Sequence, residues 1–149
     1  MTQAVSLGLI TLISLALMIS PNGARAQEDI CDLEPTAPIV GKASWYGPNF
    51  HGRRTATGKI FNQHDPRMAA CIGSFTFASD RKRTCVEVTN LRNRKRLNVE
   101  CQDTGAFCKK YGRVIDLSYQ GAVELGYARQ GTALVRVKPI SCKKLKRKL

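Results

Sequence analysis

The sequence predicts an all-β barrel with one helical connection, stabilised by disulfide bonds. Several short segments alternate apolar and polar residues with period 2, which is typical of half-buried strands. Only residues 119–125 have a convincing helical pattern, and Gly126 follows them at the position of a helix C-cap. Six cysteines occur in 149 residues. One short helix among several short strands indicates a barrel rather than alternating strands and helices.

The strands can be placed in order along the chain. The first carries Trp45, which we expect in the core, and Tyr46, which we expect to face a groove. The next two alternate most regularly, and the last would close the barrel. The predicted strands are residues 43–46, 84–90, 95–101, 114–118 and 131–138, with the helix between the last two.

Segments of different character divide the chain. Residues 1–26 contain an apolar stretch followed by Ala24-Arg25-Ala26, the small-x-small pattern of a signal-peptidase site. A membrane anchor is the alternative, but the apolar run is shorter than the ~20 residues that a spanning helix needs. We expect cleavage after Ala26, a leader over 27–39, one domain over 40–140 and a basic tail over 141–149. The mature protein is expected to be periplasmic or secreted, monomeric and without a stable membrane anchor.

The charge balance favours an anionic partner. Loss of residues 1–26 removes one charged residue, Arg25, and leaves 23 Lys and Arg against 11 Asp and Glu, a net charge of +12. Anionic cell-wall glycans, lipid headgroups and phosphorylated glycans all fit this charge. Nucleic acid is the general partner of basic proteins, but an export signal argues against it. Charge that serves only solubility is the alternative.

The cysteines indicate a disulfide framework. Six cysteines in a small exported chain allow three bonds and fifteen connectivities. Zinc is less favoured because no Cys-x-x-Cys pair occurs and both histidines, His51 and His64, lie away from the cysteines in sequence. We therefore expect neither a metal nor a cofactor.

One hairpin limits the pairing of these cysteines. Asn93-Arg94 has the position of a two-residue turn, although glycine would suit a type I′ turn better and a longer loop is the alternative. In the two-residue register Val86 faces Cys101, and Cys85 lies on the opposite face, which disfavours a Cys85–Cys101 bond. Because the first and last strands of a barrel are neighbours, the expected pairing is Cys31 with Cys142, Cys71 with Cys85, and Cys101 with Cys108.

Six short motifs carry a family resemblance: Gly41-Lys-Ala-Ser-Trp-Tyr-Gly47, Phe50-His-Gly-Arg-Arg-Thr-Ala-Thr-Gly58, Met68-Ala-Ala70, Val88-Thr-Asn-Leu91, Val99-Glu-Cys-Gln-Asp-Thr-Gly-Ala-Phe107 and Gly112-Arg-Val-Ile-Asp-Leu-Ser118. This set resembles the rare lipoprotein A family of double-psi β-barrel proteins, which act on cell-wall peptidoglycan. The resemblance covers about residues 40–139. It implies a six-stranded double-psi β-barrel and a lytic transglycosylase activity that leaves 1,6-anhydro products.

Two carboxylates are candidates for this chemistry. Asp103 is predicted in a turn straight after a strand, and the resemblance implies that it is the catalytic acid that protonates the departing glycosidic oxygen. A loop-capping Asp is the structural alternative. Asp116 lies inside an apolar strand, and the resemblance places it beside the groove, where we expect it to orient loops around Asp103.

Other residues are expected to line or support the groove. They are Tyr46, His51, Arg53 and Thr55, together with the segment 72–84, whose Phe75 and Phe77 would either stack on sugars or turn inward as part of an ordinary insertion.

One departure from the family pattern leaves the activity open. Relatives have histidine at the position of Cys71, and that histidine is considered catalytic. Either the chemistry proceeds without it, or the domain is an expansin-like module that binds wall polysaccharide without cutting it. A cationic protein that acts on membranes through its tail is a third alternative.

Overall fold

The chain forms a closed six-stranded β-barrel. The computed structural model describes residues 31, 37–72 and 84–147. The six strands are β1 (Ile39–Tyr46), β2 (Met68–Cys71), β3 (Cys85–Asn90), β4 (Arg96–Thr104), β5 (Arg113–Ser118) and β6 (Ala133–Ile140), in the ring order β1-β5-β2-β4-β3-β6. Two pairs, β1 with β5 and β2 with β4, are parallel, and the others are antiparallel. The predicted all-β barrel is therefore confirmed.

The side chains that point inward at every second position of the strands fill the barrel. Apolar residues such as Val86, Val99, Ile115 and Val137 are almost completely buried, and along β3 and β6 they alternate with more exposed residues such as Glu87 and Arg136. This is the period-2 pattern that the sequence shows most clearly in β3 and β4. The interior therefore contains aliphatic side chains and one disulfide, and any functional group has to lie on the outer surface or on a connection.

Within residues 37–72 and 84–147, two α-helices and two 3₁₀ turns connect the strands, and a third 3₁₀ turn follows β6. Helix α2 (Tyr119–Leu125) ends at Gly126, which has φ of 77°, as predicted. Helix α1 (Phe107–Tyr111) was not predicted, so the expectation of one helix is wrong. Its five residues are too few for an amphipathic pattern to be recognisable. No helix in the described part of the chain is long and apolar enough to cross a membrane.

The β3–β4 hairpin has a longer loop than predicted. Val86 pairs with Val99 rather than with Cys101, because the backbone N–H of Asn90 donates to the carbonyl of Lys95 and leaves residues 91–94 as the loop. Arg94 has φ of 64° and closes this loop in place of glycine. The shift in register is two residues, which preserves the faces, so Cys85 and Cys101 lie on opposite sides as expected.

All six cysteines form disulfides, but each predicted pairing is wrong. The bonds are Cys31–Cys108, Cys71–Cys101 and Cys85–Cys142. Cys31 is bonded to the unpredicted helix α1, and Cys71 meets Cys101 inside the barrel because β2 lies beside β4. Cys142 reaches Cys85 because β6 pairs with β3 and ends next to it.

The C-terminal segment is attached to the barrel over much of its length. Residues Cys142–Arg147 form a 3₁₀ turn, and Leu145 is buried against the barrel. The apolar side chain and the disulfide at Cys142 therefore fix a segment whose composition suggested only a basic tail. The predicted signal peptide and nearly all of the leader lie outside the described residues, as do Phe75 and Phe77.

We expect loss of the Cys85–Cys142 bond to destabilise the domain. The bond closes a separation of 57 residues, so the double variant C85A/C142A should lose about 2–4 kcal/mol of unfolding free energy through greater freedom of the unfolded chain. Urea unfolding measures this loss, with Ser141→Ala as the control. Peptide mapping without reductant checks the pairing, and a Cys71–Cys85 peptide would contradict it.

Candidate active site

The two candidate carboxylates lie in one row across four strands. Ser44 on β1 pairs with Asp116 on β5, Asp116 pairs with Ala70 on β2, and Ala70 pairs with Asp103 on β4. Residues opposite one another on neighbouring strands project from the same face. The Cα atoms of the two aspartates are therefore about 10 Å apart, two strand spacings, with only the methyl group of Ala70 between them.

A shift in register directs Asp103 to this face. Ala69 pairs with Cys101, but Ala70 pairs with Asp103, so Gln102 is an extra residue, as at a β-bulge. In a regular strand Asp103 would share the inward face of Cys101. The extra residue reverses the alternation, and Asp103 faces outward beside Ala70. Strand β4 extends to Thr104, so Asp103 belongs to the strand and not to the loop that the sequence predicted.

The loop between β1 and β2 holds Asp103 in place. Asp103 Oδ1 accepts hydrogen bonds from the backbone N–H groups of Ala56, at 3.0 Å, and Thr104, at 2.9 Å. Thr57 fixes the same loop by donating through its N–H and its hydroxyl to the carbonyl of Gln102. Thr55 is buried, and its hydroxyl donates to the carbonyl of Lys59. These bonds orient the carboxylate before any ligand arrives.

Asp116 is the more buried carboxyl. Ser44 Oγ donates to its Oδ1 at 2.5 Å, and Arg113 Nη2 lies 3.2 Å from its Oδ2. Burial raises the pKa of Asp116, and the Ser44 hydrogen bond and the Arg113 charge offset only part of that increase. Asp116 thus contacts Ser44 and Arg113 rather than the loops around Asp103.

Tyr46 places a hydroxyl near both carboxylates. Its Oη is buried and has no hydrogen-bond partner among the described residues. Burial raises the pKa of Tyr46, and the negative charges of Asp103 and then Asp116 raise it further. The ring is stacked on Phe61, with centroids 4.0 Å apart. Tyr46 is therefore a neutral donor that is fixed in position at the wall of the cleft.

These groups line a cleft of about 280 Å³ with aromatic and cationic walls. Phe50 forms one side, with its ring edge-on to Tyr46. The other side comes from α1 and the start of β5, where Arg113 lies over the rings of Phe107 and Tyr111 at 5.9 and 4.7 Å. Lys110 adds a second cation at the rim. Aromatic faces beside cations and carboxylates suit a sugar that carries acidic groups.

The comparison with protein families agrees with this architecture. The model of the family described as lytic transglycolase matches residues 39–137, about two thirds of the chain. The chain belongs to this family. The closed six-stranded barrel with two parallel pairs and the matched residues together make it a double-psi β-barrel of the rare lipoprotein A type.

Curated relatives share this domain and extend well beyond it. The probable endolytic peptidoglycan transglycosylase RlpA of Aquifex aeolicus is 40% identical over 104 residues, which are 70% of this chain and 42% of that protein. The endolytic peptidoglycan transglycosylase RlpA of Pseudomonas aeruginosa is 43% identical over 102 residues, which are 68% of this chain and 27% of that protein. The chain therefore matches less than half the length of these relatives.

Solved structures show the same fold at lower identity. The Streptomyces papain inhibitor has a TM-score of 0.55 and 20% identity, covering 74% of this chain and all of that one. The expansin of Clavibacter michiganensis has a TM-score of 0.52 and 18% identity, covering 70% of this chain and half of that one. At these identities the likeness concerns the fold alone.

Two residues that the sequence predicted for the groove, and the residue at the position of the family histidine, lie outside the cleft. His51 is exposed, accepts the N–H of Gln63 through Nδ1, and packs edge-on against His64 with centroids 5.5 Å apart. Arg53 is exposed, does not line the cleft, and lies over the Phe50 ring at 5.7 Å. Cys71 is buried in the Cys71–Cys101 disulfide. No histidine of the described residues lines the cleft.

Sequence reasoning missed the residues that complete the cleft. Ala70, Lys110, Tyr111 and Arg113 line it beside the two aspartates. Arg113 had a detectable signal, because it begins the strand that carries Asp116 three residues later. Ala70 had none, since its importance comes from the two strands that flank it and not from its own chemistry.

We expect Asp116→Asn to change how stability depends on pH. Because the folded-state pKa of Asp116 is raised, the folded protein keeps this proton where the unfolded chain has released it, so wild-type stability falls as pH rises from about 4 to the raised pKa. The variant cannot titrate and lacks this contribution; the Ser44 and Arg113 contacts favour the ionised carboxyl and are already included in the net upward shift.

The measurement is equilibrium unfolding of both proteins across this pH range. The unfolding free energy of wild type minus that of the variant should decrease as pH rises. A difference that increases with pH would mean that Arg113 and Ser44 outweigh burial.

Proposed function

We propose that this domain cleaves the glycan strands of peptidoglycan as a lytic transglycosylase, in the cleft between Asp103 and Asp116. The observation that carries the proposal is the row in which the two carboxylates flank Ala70. Paired carboxyl groups in glycosidases lie about 5–9.5 Å apart, with the reacting sugar between them. Side chains that converge from Cα atoms about 10 Å apart reach that range. The names of the curated relatives support the same reaction.

Asp116 is the proton donor in this proposal. A general acid has to hold its proton near neutral pH, and burial raises the pKa of Asp116 in that direction. It transfers the proton to the glycosidic oxygen as the bond from that oxygen to the anomeric carbon breaks. The sequence pattern assigned the acid to Asp103; the burial of Asp116 is our reason for exchanging the roles.

Asp103 is the proton acceptor. The 6-hydroxyl of the N-acetylmuramic acid residue attacks its own anomeric carbon, and the proton it loses passes to Asp103, which two backbone N–H groups hold in orientation. One proton is given and one is taken, and the product is a 1,6-anhydro sugar. The substrate supplies the nucleophile, so neither water nor a cysteine has to attack.

Tyr46 and the cationic wall position the sugar. The Tyr46 hydroxyl, without a partner in the described residues, donates a hydrogen bond to a sugar oxygen between the carboxylates. Lys110 and Arg113 attract the carboxylates of the substrate, and the exposed rings of Phe50 and Tyr111 offer stacking surfaces.

The setting of this activity is the cell envelope. We propose export by a signal peptide that is cleaved near Ala26, with the mature domain acting in the periplasm or outside the cell as a monomer. The basic composition and the three disulfides support this assignment.

A second candidate function is binding without cleavage, as in an expansin-like module. The observation that favours it is Cys71, which occupies the position of the family histidine and is locked in a disulfide. The same cleft would then hold a glycan strand through its aromatic and charged groups.

Asp103→Asn should abolish cleavage while the domain stays folded. The amide is nearly isosteric but cannot accept the proton of the attacking hydroxyl, and loss of a general base costs about 10²–10⁴-fold in rate. Mass spectrometry of purified sacculi after digestion measures the anhydro products, and circular dichroism checks the fold. Wild-type protein that binds sacculi and releases nothing would support the expansin-like function instead.

A substrate with a good leaving group separates the two roles. Asp116→Asn should be slow on sacculi but much less impaired on an aryl glycoside, whose departing oxygen needs little protonation, whereas Asp103→Asn should be slow on both. The reverse pattern would return the acid role to Asp103.

Tyr46→Phe should slow cleavage without destabilising the protein. The buried hydroxyl has no described partner, so its removal should leave the unfolding free energy unchanged or slightly higher. A slower release of anhydro products at equal stability identifies a contact to substrate. A loss of more than about 1 kcal/mol of stability would show that the hydroxyl has a structural partner instead.

A further inference from the structure

A second charged surface lies on the opposite side of the barrel. Strand β3 is three positions from β5 around the ring in either direction, so the outer face of β3 is turned away from the cleft. On that face Arg96 of β4 and Arg136 of β6 both pair with Thr89. We call the outer face of these three strands, together with Arg94 and Lys138, the basic face.

The basic face is concave and strongly positive. It contains a depression of about 450 Å³ lined by Arg94, Arg96, Arg136 and Lys138, with Glu87 as its one carboxylate. All four cations are exposed. Among residues 37–72 and 84–147, none of the four forms an ion pair. Their charges are therefore available to a partner.

The spacing of the arginines follows from the sheet. Arg96 and Arg136 flank Thr89 on either side, so their Cα atoms lie about 10 Å apart. Lys138 follows Arg136 by two residues on the same face, about 7 Å along the strand. The cations form a grid whose spacing a linear polymer with regularly repeated charges can match, and arginine can bind each carboxylate with two parallel hydrogen bonds.

The neutral and acidic groups indicate what kind of polymer fits. Thr89 lies between the two arginines, and Glu87 lies between Asn98 and Lys138 in the next row. A phosphate polymer or an anionic membrane surface offers few hydrogen-bond donors to the Glu87 carboxylate. A glycan has hydroxyl groups that donate to Glu87 and bond with Thr89 and Asn98.

We infer that the basic face is a second binding site, which takes a carboxylate-bearing glycan strand separately from the cleft. The two sites share no lining residue. The inference therefore does not depend on whether the cleft cleaves glycan or only binds it. A strand held on this face would keep the domain at the wall while the cleft engages and releases its own substrate.

Fluorescence anisotropy with a labelled linear oligogalacturonate tests this site. The double variant R96Q/R136Q should bind roughly tenfold more weakly than wild type, because it removes both arginines that flank Thr89 and their paired hydrogen bonds to carboxylates. The matched control K109Q/R129Q removes the same charge from exposed residues outside the face and should change affinity less than about twofold. Binding should weaken as salt increases.

Four results would overturn the inference of a second glycan site or part of it. Equal losses in the two double variants would show that only net charge matters and would overturn the inference. A Lys110→Gln variant that loses as much as R96Q/R136Q would assign the binding to the cleft. Tighter binding of polyphosphate or of phosphatidylglycerol vesicles than of oligogalacturonate would overturn the glycan assignment. Product release from sacculi is measured separately, so failure here leaves the cleavage proposal untouched.

Discussion

One extra residue in β4, at the point where β4 pairs with β2, determines whether this barrel has a site. The extra residue at Gln102 turns Asp103 from the inward face, where Cys101 lies, to the outer face beside Ala70. Without it a carboxylate would enter an aliphatic interior, where its desolvation costs far more than its contacts return. The bonds from Thr57 to the carbonyl of Gln102, and from Ala56 to Asp103, hold this local departure from the pleat. The loop between β1 and β2 is thus required for the site and not only for the connection.

Burial of Asp116 is the second constraint, and the surrounding residues compensate for it only in part. Ser44 and Arg113 each favour the charged form, yet the net effect of the fold is to raise the pKa of the carboxyl. Arg113 is itself half-enclosed between Asp116 and two aromatic rings, and its Nε has no hydrogen-bond partner among the described residues. A domain selected only for stability would replace such a group with an apolar one. Retention of a costly buried pair beside an open cleft is typical of functional sites.

The fold, and the two carboxylates that line the cleft, could be singled out from the sequence because those signals are local. Alternation in β3 and β4, the glycine after α2 and the motifs around Asp103 and Asp116 can each be recognised within a few residues. The disulfides could not be deduced, because their pairing depends on which strands are neighbours: Cys71 meets Cys101 only because β2 lies beside β4. Helix α1 was missed because five residues are too few to show a helical periodicity. The role of Ala70 was missed because it depends on the small size of its side chain between Asp103 and Asp116, which are far apart in sequence.

The order of the disulfides along the chain has a consequence for how the protein matures. The bonds join the first cysteine to the fifth, the second to the fourth and the third to the sixth, so no cysteine pairs with its neighbour in sequence. A chain that enters an oxidising compartment from its N-terminus exposes Cys31 and Cys71 long before their native partners. Oxidation in order of arrival would join these two and leave both β2 and α1 without their bonds. Native pairing therefore requires either that the thiols stay reduced until the barrel closes, or that early bonds are exchanged through mixed disulfides before the native set is complete.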